Sequence, residues 1–115
     1  MKKILMVGTG GTIASEMTAE GLAPELNTEQ LLEFIPDIGK FCRVDCLQLY
    51  NLDSTNIRPA DWLGVADILH KSYDAYDGFV ISHGTDTMAY TAAALSSLVQ
   101  GSAKPIVLTG AQKPI

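Results

Sequence analysis

Apolar positions along the chain fall into runs and stripes that predict alternating strands and helices. Residues 3–7 (KILMV) are a short apolar run closed by glycines, the pattern of a buried strand in a parallel sheet. Residues 16–27 are polar and carry Gly21 and Pro24, which predicts a loop. Asn27 with Gln30 resembles a capping box for a short helix whose apolar side is Leu31, Leu32, Phe34 and Ile35, stopped at Pro36. Residues 41–50 (FCRVDCLQLY) predict a second strand, followed by a loop over 51–59. Pro59 and Asp61 mark a helix start, and Trp62, Val65, Ala66, Leu69 and Tyr73 recur at helical spacing as a stripe that packs on a sheet.

Residues 77–82 (DGFVIS) predict a third strand and 83–87 (HGTDT) a turn. A small-residue helix over 88–100 carries Met88, Ala92, Leu95 and Val99 on one side, and residues 104–109 form a fourth strand. The order β-loop-α-β-α-β-α-β predicts a Rossmann-like α/β fold: an open, mostly parallel sheet with helices on both faces and right-handed crossovers. Loops at the carboxyl ends of such strands are where ligands bind. No internal repeat, low-complexity tract or linker divides the chain.

Length and charge narrow the function classes. A chain of 115 residues, 47% hydrophobic and 18% charged, fits one soluble domain. It buries roughly two-thirds of its unfolded surface. The net charge is −5 and the eight Lys and Arg are scattered, so neither nucleic acid nor an anionic membrane is an expected partner. The opening Met1-Lys2-Lys3 leads into an apolar run too short for a signal peptide, and no stretch approaches a membrane span, so a cytoplasmic location is expected. Cys42 and Cys46 would share a strand face about 13 Å apart, beyond the roughly 7 Å limit for a disulfide. They are read as buried free thiols, and no metal site is expected.

Three polar clusters sit at predicted strand ends. In GTGGTIAS (residues 8–15) the third glycine of a dinucleotide motif is replaced by Ile13 and no helix follows, which disfavours a phosphate cradle. The other reading lets Gly10 and Gly11 bring the backbone close to a substrate while Thr12 presents a hydroxyl, a weak nucleophile until a base takes its proton. HGTDT offers His83, Thr85, Asp86 and Thr87, with helix capping as the ordinary role of Thr85 and Asp86 and a structural role for His83. DST (residues 53–55) offers short hydroxyls suited to a carboxylate or to a plain polar turn. With Ala111 after the fourth strand, these residues would line one crevice.

The motifs TGGTIA (9–14), DST (53–55), HGTDTM (83–88) and TGAQKP (109–114) resemble the L-asparaginase/glutaminase family, most nearly its cytoplasmic type I branch. The resemblance implies an amidohydrolase that needs no cofactor and acts on a small molecule, L-asparagine with L-glutamine as the related candidate. On that likeness Thr12 attacks the side-chain amide carbon, Thr85 assists the chemistry or the attacking water, and Asp86 holds the substrate's α-ammonium. Ser54, with Asp53 and Thr55 beside it, takes the α-carboxylate, while Gly11, Gly84 and Ala111 line the substrate.

The resemblance also carries two departures. A family tyrosine in the loop after TGGTIA is matched by Leu22, and a family lysine that serves the threonine matched by Thr85 falls beyond Ile115. Residues 1–115 are therefore expected to be part of the family's N-terminal α/β domain, inactive when isolated and homo-oligomeric as a longer chain. Two other readings stay open: an amidotransferase subunit supplying ammonia for tRNA-dependent glutamine synthesis, and a catalytically dead amino-acid-binding module. The amidotransferase subunits carry a domain before TGGT, whereas Met1 here lies seven residues before Gly8, which counts against the first.

Overall fold

A computed structural model describes residues 1–10, 15–18, 21–24, 32–33, 35–52 and 57–110. Its elements are β1 (Lys2–Gly10), β2 (Ser15–Thr18), β3 (Gly21–Pro24), β4 (Cys42–Leu52), α1 (Pro59–Ser72), β5 (Gly78–Ser82), α2 (Met88–Leu98) and β6 (Ile106–Thr109). Strands β4, β1, β5 and β6 form one sheet in that order, every pairing parallel. The expected open parallel α/β sheet is thus present.

The pleat sorts the residues of β1 and β5 onto two faces. Leu5 and Val7 lie beside Phe79 and Ile81 in register, and all four are buried under Val65, Ala66 and Leu69 of α1 and Leu95 of α2. Ile4, Met6, Val80 and Val107 turn to the opposite face, where Ile35 and Ile38 border an apolar groove of about 380 Å³. Helical backbone therefore serves both faces, with α1 and α2 on one and a 3-10 turn over Pro36–Lys40 on the other.

Local chemistry explains where α1 starts. Pro59 takes the first helical position, and the Asp61 carboxylate accepts the Arg58 backbone N–H at 2.8 Å while sitting in the positive first turn. Val65, Ala66 and Leu69 of the expected stripe are buried and Trp62 is half-buried, but the helix stops at Ser72, leaving Tyr73 in a 3-10 turn.

Three expectations are corrected. Part of the loop expected over 16–27 is an antiparallel hairpin in which Met17 pairs with Leu22; short strands containing Gly and Pro lack the alternation that would betray them. In α2 the buried residues are Thr91 and Leu95, with Met88 and Val99 half-buried and Ala92 exposed, so the inward side is rotated from the one read off the small residues. Cys42 and Cys46 form no disulfide but are only half-buried, because β4 is an edge strand of the described sheet. The short helix expected from Asn27 lies mostly outside the described residues.

Two carboxylates tie the sheet to its flanks. Asp77 accepts the Lys3 backbone N–H at 2.8 Å, and Asp45 accepts the Tyr76 hydroxyl at 2.8 Å; these bonds hold both carboxyls below their ordinary 3.8. A depressed folded pKa adds stability above the unfolded value and loses it as pH falls through the folded value. Thermal melts of the native chain should therefore drop on passing below 3.8, and the double variant Asp45→Asn, Asp77→Asn should show a shallower drop. Parallel curves for the two proteins would refute this.

Candidate functional site

The sheet order creates an opening at the carboxyl end of β1 and β5. From β1 the chain passes to β4 on one side, and from β5 to β6 on the other, so the connections leave in opposite directions. Such a switch point is where open α/β sheets hold ligands. The register shows the strands parting. Gly8 pairs with Ser82, but beyond it Gly10 follows β4 to Leu52, across an irregularity in the ladder, while the His83 backbone N–H donates to Thr109 at 2.9 Å.

The floor of this opening is well fixed. Thr9 is 2% exposed, and its hydroxyl donates to the Ser82 carbonyl at 2.6 Å, bridging the strands where they diverge. The Ser82 hydroxyl is buried too and finds no hydrogen-bond partner among the described residues. Gly110, following β6, runs so close to β5 that a Cβ built on it would meet the His83 carbonyl oxygen at 2.3 Å. No side chain fits there without moving backbone.

From this floor rises the segment 83–87. Gly84 is buried, Thr85 half-buried and Asp86 exposed. Thr87 occupies the N-cap position of α2 without a side-chain capping bond, and its carbonyl receives the first N–H groups of the helix. Asp86 and Thr85 thus precede the N-cap position, which is held by Thr87.

His83, expected to be structural, is 1% exposed, with Nδ1 2.6 Å from the Gly84 carbonyl and Nε2 2.9 Å from the Thr91 hydroxyl oxygen. That oxygen also accepts the Trp62 indole N–H at 2.8 Å. Sequence reasoning misses this association because Thr91 is polar and falls outside the apolar stripe of α2. The signal present is a hydroxyl eight residues after the histidine, on the helix face turned toward it.

The structure therefore brings Thr85 and Asp86, on Gly84, to one side of the switch point and Gly10 to the other. Gly11 and Thr12, which follow Gly10 in sequence, lie outside the described residues, as do Asp53, Ser54, Thr55 and Ala111. Among the described residues no group of three His, Cys, Asp or Glu could hold a metal ion, and no helix is long and apolar enough to cross a membrane.

Residues 3–115 match the family model described as Asparaginase, N-terminal. The chain is 42% identical over 98% of its length to an L-asparaginase of Thermococcus kodakarensis, covering 35% of that protein. It is 40% identical over 96% of its length to a glutamyl-tRNA(Gln) amidotransferase subunit of Saccharolobus solfataricus, covering 26% of it. The solved structure of a probable cytoplasmic L-asparaginase from Campylobacter jejuni matches 99% of the chain at 35% identity with a TM-score of 0.88, the chain covering 36% of it. The chain thus spans about a third, or less, of the relatives it matches.

Proposed function

The chain belongs to the asparaginase family, whose matched L-asparaginases are amidohydrolases, and from that premise we propose that it is the nucleophile-bearing part of an L-asparaginase. The observation that supports the reading is the switch point at β1 and β5, where β1 ends at Gly10, just before Thr12 in sequence, and β5 ends just before the segment bearing Thr85 and Asp86. Thr12 attacks the side-chain amide carbon of L-asparagine, ammonia leaves with the proton it gains, and water then hydrolyses the acyl-threonine to L-aspartate. Thr85 assists the attacking water, and Asp86 holds the α-ammonium by a charge-assisted bond. Ser54, flanked by Asp53 and Thr55, takes the α-carboxylate, while Gly11, Gly84 and Ala111 line the scissile amide and its oxyanion. The reading brings with it a cytoplasmic location, consistent with the Campylobacter jejuni neighbour, and homo-oligomeric assembly of a longer chain.

A chimera in which these residues replace the matching third of the Thermococcus kodakarensis protein is expected to release ammonia from L-asparagine and to lose that activity with Thr12→Ala. The 115 residues by themselves are expected to show no Thr12-dependent turnover, yet to bind L-aspartate through Asp86 and Ser54. A folded but silent chimera, or binding indifferent to both Asp86→Ala and Ser54→Ala, would defeat the proposal.

The 40% identity to the amidotransferase protein favours one second reading, the same threonine chemistry feeding ammonia to a tRNA-bound acceptor. Ammonia release by the chimera without tRNA separates the first reading from it.

A further inference from the structure

Amide hydrolysis as proposed gives His83 no chemical step, yet its ring is among the most thoroughly held groups in the molecule. A carbonyl only accepts, so the 2.6 Å contact with Gly84 makes Nδ1 the hydrogen-bearing nitrogen. In the neutral ring Nε2 then accepts the Thr91 hydroxyl, whose oxygen accepts the Trp62 indole N–H. The result is a directional chain from α1, through α2, to the peptide between Gly84 and Thr85. Thr91 and His83 are each 1% exposed, so water does not compete for these bonds.

The consequence follows from peptide planarity. The Gly84 carbonyl and the Thr85 N–H belong to one rigid plane and point in opposite directions, so a ring that fixes the carbonyl fixes the orientation from which Thr85 and Asp86 depart. The rest of His83 cannot drift, because its N–H is bonded to Thr109 and its carbonyl lies against Gly110. We propose that Trp62, Thr91 and His83 form a positioning relay that aims Thr85 and Asp86 into the crevice. Trp62 and Thr91 act through His83 and are positioning residues; the functional weight of the relay rests on the proposed role of Asp86 in substrate binding.

The test compares the labelled 115-residue chain with Thr91→Val and Thr91→Ser by nuclear magnetic resonance and L-aspartate titration. With valine, the indole N–H of the single tryptophan moves upfield, and the amides of Gly84, Thr85 and Asp86 shift while those of Lys2 to Val7 stay. His83 no longer shows one Nδ1–H tautomer, and L-aspartate binds about tenfold more weakly, as expected for one lost buried hydrogen bond. Serine, which restores the hydroxyl, recovers all of these, whereas a purely packing role for the threonine would not distinguish the two variants in this way.

Should Thr91→Val fail to fold, Trp62→Phe removes the donor end only and must shift the same three amides. Unmoved Gly84–Asp86 amides and an intact His83 tautomer in the folded variant overturn the relay. If the native chain does not bind L-aspartate, the assignment of Asp86 fails, and the amide and tautomer shifts decide the relay independently.

Discussion

Replacing Phe79 by alanine is expected to cost about 3–5 kcal/mol, as removal of a fully buried aromatic ring does. Phe79 is 1% exposed on β5, between Leu5 and Ile106 in the ladder. Its ring stacks at 6.2 Å on Tyr73 and meets Tyr76 edge-on at 6.2 Å. Neither tyrosine is free to fall into the cavity. The Tyr76 hydroxyl is tied to Asp45, and the Tyr73 hydroxyl accepts the Ala103 N–H while Lys104 lies over its ring. Since whole domains are stable by about 5–15 kcal/mol, this single change removes a large share of the total. Chemical denaturation followed by circular dichroism measures it, and a loss below about 1 kcal/mol would mean that the tyrosines repack.

Gly110→Ala is the second large effect, and here damage to the site accompanies damage to the fold. A Cβ 2.3 Å from the His83 carbonyl oxygen forces either β6 or the start of segment 83–87 to shift, and the neighbouring Thr85 methyl, at 3.4 Å, lies in the same path. Both strands are held by hydrogen bonds at this point, so relief comes slowly with displacement. Overpacking of this kind costs about 1–3 kcal/mol. The expected outcome is a lowered denaturation midpoint together with loss of L-aspartate binding, whereas an exposed substitution such as Gly39→Ala, with nothing within 4 Å of the new Cβ, leaves both intact. Unchanged binding in Gly110→Ala would show that segment 83–87 yields without disturbing Asp86.

The strands of the parallel sheet were legible in the sequence, unlike those of the β2–β3 hairpin, because its central strands are continuous apolar runs, as KILMV and GFVIS are. The stripe of α1 was legible because Val65, Ala66 and Leu69 fit helical spacing, and the buried polar residue on that face, Asp61, belongs to the helix start and not to the stripe. In α2 the same logic slipped, since alanines carry little directional information and the true inward residue is a threonine whose hydroxyl is satisfied by partners 8 and 29 residues away. Spacing cannot reveal a polar group made tolerable by tertiary contacts. HGTDT was recognisable as a strand-end cluster, but the displacement of the cap to Thr87 depends on where α2 begins, the least predictable feature of a helix. For Thr12, Gly11, Asp53, Ser54, Thr55 and Ala111 the sequence offered position after a strand and family likeness, and their roles remain proposals on that basis.

The central place of β1 also dictates an order of events during synthesis. Both neighbours of β1 follow it in the chain, the second much later: Lys3 bonds a residue 74 positions on and Thr9 one 73 positions on. At roughly 5–20 residues per second, several seconds pass between emergence of that apolar segment and arrival of its second neighbour. Non-local pairing of this kind carries a loop-closure cost before any contact repays it, which makes folding slow relative to helical proteins of equal size. Of the strands in this sheet β1 waits longest for both of its neighbours, and shielding that nascent strand becomes a requirement of its own.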